Sequence, residues 1–158
     1  MSKKAYQTLI RLLGFKDYSE HKLREKLKER GFNPDEIDDA INEVKEKKYL
    51  REDLYAESRA KAFMNKGYSQ NFIRQKLSQE HVSVSEEFID EIYDEHKYSE
   101  EDQIKELIQK KLRGKMIEDY NHEAKVIRFV LSKGHSFDSI KSALKQYKNS
   151  QLDQNENF

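Results

Sequence analysis

Apolar residues recur at intervals of three and four along most of the chain, and the positions between them are largely charged. The clearest instance follows Lys66-Gly67-Tyr68-Ser69, where Ile73 and Leu77 stand four apart on one helical face. That stretch reads as a helix stop at Gly67, an aromatic plug at Tyr68, an N-cap at Ser69 and a fresh amphipathic helix. Fifty residues upstream the same order returns. There Tyr18, Ser19, Leu23, Arg24, Lys26 and Leu27 answer Tyr68, Ser69, Ile73, Arg74, Lys76 and Leu77.

The rest of the chain follows the same pattern. Tyr6, Leu9, Ile10 and Leu13 predict a first helix closed by Gly14. Ser19 caps a second, to about Arg30, with Leu23 and Leu27 inward; Gly31 ends it and Phe32 folds back. Asn33, Pro34 and Glu36 spell an N-cap, a proline at the first helical position and an acid at the third. The helix they start buries Ile37, Ala40, Ile41 and Val44. Further helices are predicted from Glu52 to Lys66 through Tyr55, Ala56, Ala60 and Phe63, from Ser69 to about Gln79, and from Ser85 to about His96 through Phe88, Ile89 and Ile92. Ser99 caps one to about Arg113, and Asn121 to Lys133 makes another through Val126, Ile127, Phe129 and Val130. Gly134, Ser136, Ile140, Ala143 and Leu144 then match Gly31, Asn33, Ile37, Ala40 and Ile41 at a constant offset.

The fold expected is all-α: three tandem three-helix repeats, about nine helices, in an elongated, curved array. The repeats span residues 1–48, 49–98 and 99–147, followed by a polar tail over 148–158 that is expected to fray. The five glycines fall at predicted helix ends and the one proline at a helix start, as their backbone preferences require.

Composition adds constraints. Hydrophobic residues make up 35% and charged residues 38%, too little apolar surface for one large core and enough for a string of small ones. Thirty bases balance thirty acids, so no global field draws the chain onto nucleic acid. The absence of cysteine excludes disulfides and thiolate chemistry. No apolar run is long enough to span a membrane and the first residues, MSKKAYQTLI, lack a signal-peptide core, so a cytoplasmic location is expected.

The sequence offers no reactive constellation. The five histidines include no pair at the i, i+4 spacing that chelates a metal, and His81 and His135 read as markers of helix stops. The glycines are isolated, so there is no phosphate-cradling loop, and the carboxylates sit on solvated faces. The expectation is a binding protein without catalytic residues, cofactor, metal or small-molecule substrate. Its charges are unevenly placed: five bases face one acid between Glu57 and Lys76, and nine acids face one base between Glu86 and Asp102. Separated patches of this kind suit a mixed-charge protein or a nucleoprotein surface, without tight nonspecific DNA binding.

Four segments together resemble a known family: DYSEHKLREKLKERGF (Asp17 to Phe32), KKYLREDLYAESRAK (Lys47 to Lys61), NKGYSQNFIRQKL (Asn65 to Leu77) and KVIRFVLSKGHSFDSI (Lys125 to Ile140). In this order they are similar to RecX, the regulator of the RecA recombinase. The resemblance implies tandem three-helix repeats that bind RecA, as monomer or filament, and damp its ATP hydrolysis, strand exchange and co-protease activity in recombination and the SOS response. The basic faces of the middle and last units, Arg59, Lys61, Lys66, Arg74, Lys76, Lys110, Lys111 and Arg113, are then the expected contacts with acidic RecA surface or with single-stranded DNA inside the filament. The chain departs from the family pattern at Lys48, Arg51 and Glu52, where a glycine and two acids are usual, at Leu54, and at His81, which replaces a glycine. Two other readings stand beside this one: a direct DNA-binding helical module, and a helical-repeat adaptor for some other protein.

Overall fold

The computed structural model describes residues 3–156, and among these it contains nine helices and no strand. They are α1 (Lys3–Leu13), α2 (Glu20–Glu29), α3 (Pro34–Glu46), α4 (Glu52–Asn65), α5 (Gln70–Gln79), α6 (Glu86–Glu95), α7 (Glu100–Leu112), α8 (Tyr120–Leu131) and α9 (Phe137–Glu156). The all-α arrangement of three-helix repeats expected from the sequence is the one observed.

The helix starts are written locally. The side chains of Ser19, Asn33, Ser85, Ser99 and Asp119 each accept from a backbone N–H in the first turn of the helix they precede. At α3 the arrangement is a full capping box, with the Glu36 carboxylate accepting in return from the Asn33 N–H at 3.1 Å. α8 differs from expectation: Asp119, not a residue near Asn121, is its cap, with Oδ1 accepting from the His122 N–H at 2.8 Å.

The stops repeat one device. At the ends of α2, α3, α4, α5 and α6 the N–H of Phe32, Tyr49, Tyr68, Val82 or Tyr98 reaches back to the carbonyl of Leu27, Val44, Phe63, Leu77 or Tyr93, at 2.8–3.2 Å. Each is a Schellman turn, with a left-handed residue followed by an apolar or aromatic one. Glycine supplies the left-handed residue at Gly31 and Gly67, but Lys48, His81 and Lys97 adopt it at φ of 60°, 62° and 50°. Two of these are the positions where the family pattern has glycine, so the departures at Lys48 and His81 change the residue and keep the turn.

The chain divides into two compact units, one comprising residues up to Ala60 with Lys76–Val84, the other Lys61–Gln75 with the chain from Ser85 onward. The division passes through α4 and α5. In the first unit Ala5 and Leu9 of α1, Leu23 and Leu27 of α2, and Ile37, Ala40, Ile41 and Val44 of α3 make one core. Each fully buried Leu or Ile contributes about 1.5–3 kcal/mol. Ile10, expected inward, is 37% exposed, because α1 turns Ala5, Thr8 and Leu9 to the core instead. In the second unit Ile104, Leu107, Ile108 and Leu112 of α7 pack with Val126 and Val130 of α8 and Ile140, Ala143 and Leu144 of α9. Ile127 and Phe129 only flank this core.

The expected frayed tail from Lys148 is instead helix, since α9 continues to Glu156; the last two residues lie outside the described ones. No glycine or proline interrupts the sequence after Gly134, and two contacts hold the helix at its middle. The Tyr147 hydroxyl donates to the Lys115 carbonyl at 2.6 Å, and Lys148 pairs with Glu123 at 3.0 Å.

Candidate partner-binding faces

The basic residues singled out from the sequence fall into both units. Arg59 and Lys76 belong to the first, and Lys61, Lys66, Arg74, Lys110, Lys111 and Arg113 to the second.

In the first unit Arg59 is committed to an internal contact. Its Nε donates to Glu80 Oε1 at 3.0 Å and its Nη2 to Oε2 at 3.2 Å, a bidentate pair. The Tyr55 hydroxyl, one helical turn away, donates to the same carboxylate at 2.8 Å. Burial and the adjacent carboxylate push the Tyr55 hydroxyl pKa up to about 12. These groups line an open groove of about 730 Å³ that also includes Asp17, Lys22 and Glu25. His21 and His81 stack there with ring centroids 3.6 Å apart. Every charged centre of the Tyr55–Arg59–Glu80 triad is spent on another, so it ties α4 to the end of α5 and leaves no poised acid or base.

In the second unit Arg74 is similarly engaged, donating from Nη1 to Glu86 at 3.0 Å, while its Nε is buried without an acceptor. The end of α7 is different. Lys110, Lys111 and Arg113 are exposed, and none has a carboxylate partner among the described residues. Lys66 likewise is exposed and makes no ion pair there. Lys111 instead lies over the Phe129 ring, Nζ 5.0 Å from the centroid.

Sequence reasoning missed what surrounds these cations. Gly67-Tyr68-Ser69 and Gly134-His135-Ser136 are joined: the Ser69 N–H donates to the Lys133 carbonyl at 2.9 Å, and His135 Nε2 lies 2.8 Å from the Gly67 carbonyl. A carbonyl can only accept, so His135 carries its proton on Nε2. It is buried at 5% exposure, a tie between segments as well as the marker of a stop. The fully buried Gln103 donates to the carbonyls of Met64 and Tyr68 at 3.0 and 2.9 Å, and the Tyr93 hydroxyl donates to the latter at 2.8 Å. Burial raises the Tyr93 pKa well above its ordinary value. Both glycines are required. A Cβ at Gly67 would lie 2.6 Å from Leu107 Cδ2, and one at Gly134 would lie 2.6 Å from Phe72 Cβ. The signal that could have found this junction was the twice-written Gly-X-Ser.

Tandem three-helix repeats, with helix stops at Gly67 and Gly134 tied to one another, define an all-α helical-repeat protein. Family models agree at both ends: residues 5–43 match the first three-helix domain of RecX and residues 99–144 its third. The regulatory protein RecX of Vibrio parahaemolyticus is 33% identical over 138 residues, covering 87% of this chain and 88% of that protein. That of Haemophilus influenzae is 30% identical over 152 residues, 92% of this chain and 96% of its own. The chain belongs to the RecX family of regulatory proteins. The crystal structure of RecX from Lactobacillus salivarius superposes with a TM-score of 0.69 at 20% identity, covering 91% and 94% of the two chains, which shows the shared fold. Among the described residues, no helix is long and apolar enough to cross a membrane.

Proposed function

We propose that this protein is a modulator, mainly an inhibitor, of RecA: it binds the RecA filament on DNA and damps ATP hydrolysis, strand exchange and co-protease activity. Membership of the RecX family supports the partner, and the cytoplasm is where that partner works. The observation that carries the reading at residue level is the set of α7 cations, Lys110, Lys111 and Arg113, exposed with no carboxylate neighbour among the described residues. With Lys61, Lys66, Arg74 and Lys76 they are the proposed contacts with acidic RecA surface or with single-stranded DNA held in the filament, while Arg59 stays with Glu80. The three repeats, bounded at 1–48, 49–98 and 99–147, are the units that meet successive parts of the polymer. A modulator shifts a filament between states only through its difference in affinity for them, so contact alone is not inhibition. The test is RecA-driven ATP hydrolysis with the wild type and with Arg74→Glu/Lys76→Glu. The double variant loses inhibition while circular dichroism reports unchanged helicity; full inhibition by the variant would remove Arg74 and Lys76 from the contact.

A further inference from the structure

The second unit carries a row of alternating rings and ammonium groups. Lys111 Nζ stands 5.0 Å from the Phe129 centroid, and Lys133 Nζ stands 5.7 Å from the same ring and 4.5 Å from that of Tyr68. Tyr68 in turn stacks on Phe72, centroids 5.2 Å apart at 20°. The row joins the last turn of α7, the C-terminal half of α8, the turn after it and the start of α5. Its frame is over-determined by the hydrogen bonds that Ser69, Gln103, Tyr93 and His135 make around residues 67 and 133.

Resting on the RecA-binding reading above, we infer that this row, centred on Lys111, Phe129 and Lys133, is the docking surface for a short carboxylate-rich segment of the bound protein. A ring face attracts an ammonium group and limits its motion without neutralising it, so the charge and its N–H donors remain available to an acceptor. Neither lysine forms an ion pair among the described residues, whereas Lys45, Lys47, Lys105, Lys141 and Lys148 all do. From Leu107 to Ile117 there are four bases and no acid, which adds a positive field at one end of the row.

Carboxylates fit better than bases or a long phosphate chain. Ammonium groups and Phe72 already occupy the ring faces on which bases would stack. The same unit holds the nine acids between Glu86 and Asp102, which oppose a polyanion tracking across it. The acceptor is therefore local.

The test measures binding of the full chain to three probes: a labelled oligo-glutamate peptide, RecA assembled on single-stranded DNA, and a labelled oligothymidylate alone. Lys111→Gln/Lys133→Gln is expected to weaken the first two by about tenfold. Phe129→Leu, which keeps both charges and removes the ring, weakens them by about threefold. Lys28→Gln/Lys145→Gln, which removes the same charge elsewhere, leaves both unchanged. Circular dichroism confirms that each variant is folded. If the double variant binds RecA filaments and oligo-glutamate like the wild type, the surface is wrong and the RecA reading stands. If the wild type ignores RecA yet loses oligo-glutamate binding with the double substitution, the surface stands and the partner is another protein. Loss confined to the oligothymidylate would overturn the inference in favour of nucleic acid.

Discussion

Arg59 and Lys111 both entered as members of basic stretches, and the two units treat them in opposite ways. In the first unit Arg59 is held by both oxygens of Glu80, with Tyr55 on the same carboxylate, so its charge is spent on joining α4 to the end of α5. In the second, Lys111 rests on Phe129 and makes no ion pair among the described residues. Charge counted along a chain reports how many cations there are; only a partner from another helix, such as Glu80 for Arg59, decides which remain available. A half-buried ion pair serves the fold, and an ammonium on a ring is left for something else.

The contrast can be broken most severely at the junction that positions the second unit's row. Gly134 sits at φ 91° with Phe72 Cβ in the place of a side chain, so Gly134→Ala is expected to cost about 2–4 kcal/mol in urea unfolding. It should also scatter the Tyr68–Lys133 contact, visible as altered aromatic near-ultraviolet dichroism. Glu80→Gln is the matching change in the first unit. It takes the Glu80 charge away from the Arg59 guanidinium, and because both side chains are partly solvated the loss is about 1 kcal/mol.

The same triad has a pH signature. The folded Tyr55 pKa, about 12, lies above the ordinary value of 10.0, so its contribution is complete below the unfolded pKa and disappears as pH rises through the window from 10 to 12. Tyr55→Phe should remove one late step from the phenolate absorbance titration and flatten the alkaline fall in stability over that range; loss of a step near pH 10 instead would show Tyr55 to ionise normally.

A smaller effect of opposite sign is expected at the stop of α3. Lys48 is left-handed at φ 60° where glycine carries no such strain, and Lys48→Gly is expected to stabilise by about 1 kcal/mol. Smallest of all is Lys111→Gln/Lys133→Gln, which should move the unfolding midpoint by less than the equivalent of about 1 kcal/mol. A large destabilisation there would erase the distinction between a cation that serves the fold and one that is available.

Much of the fold was legible because its signals are local. Ser19, Asn33, Ser85 and Ser99 announce helix starts with side chains that reach only three residues ahead, and Gly31, Gly67 and Gly134 announce stops within one turn. Where the local text was ambiguous, boundaries moved: α8 begins at the cap Asp119, and α9 runs on through a polar stretch expected to fray. Inward faces were read correctly where apolar residues recur four apart, as at Leu23 and Leu27. They were misread at Ile10, where Thr8 is buried in its stead.

The sequence by itself determined nine helices, their three-fold repetition and the absence of any thiol chemistry, since caps, glycine stops and apolar spacing act within a turn or two of chain. The tertiary structure alone decided that Arg59 is neutralised and Lys111 is not, and that His135 and Gln103 are buried ties. It also brought Lys133 to Tyr68 and Lys111 to Phe129. Those outcomes depend on groups brought together from distant segments, and no local spacing encodes the distance between them.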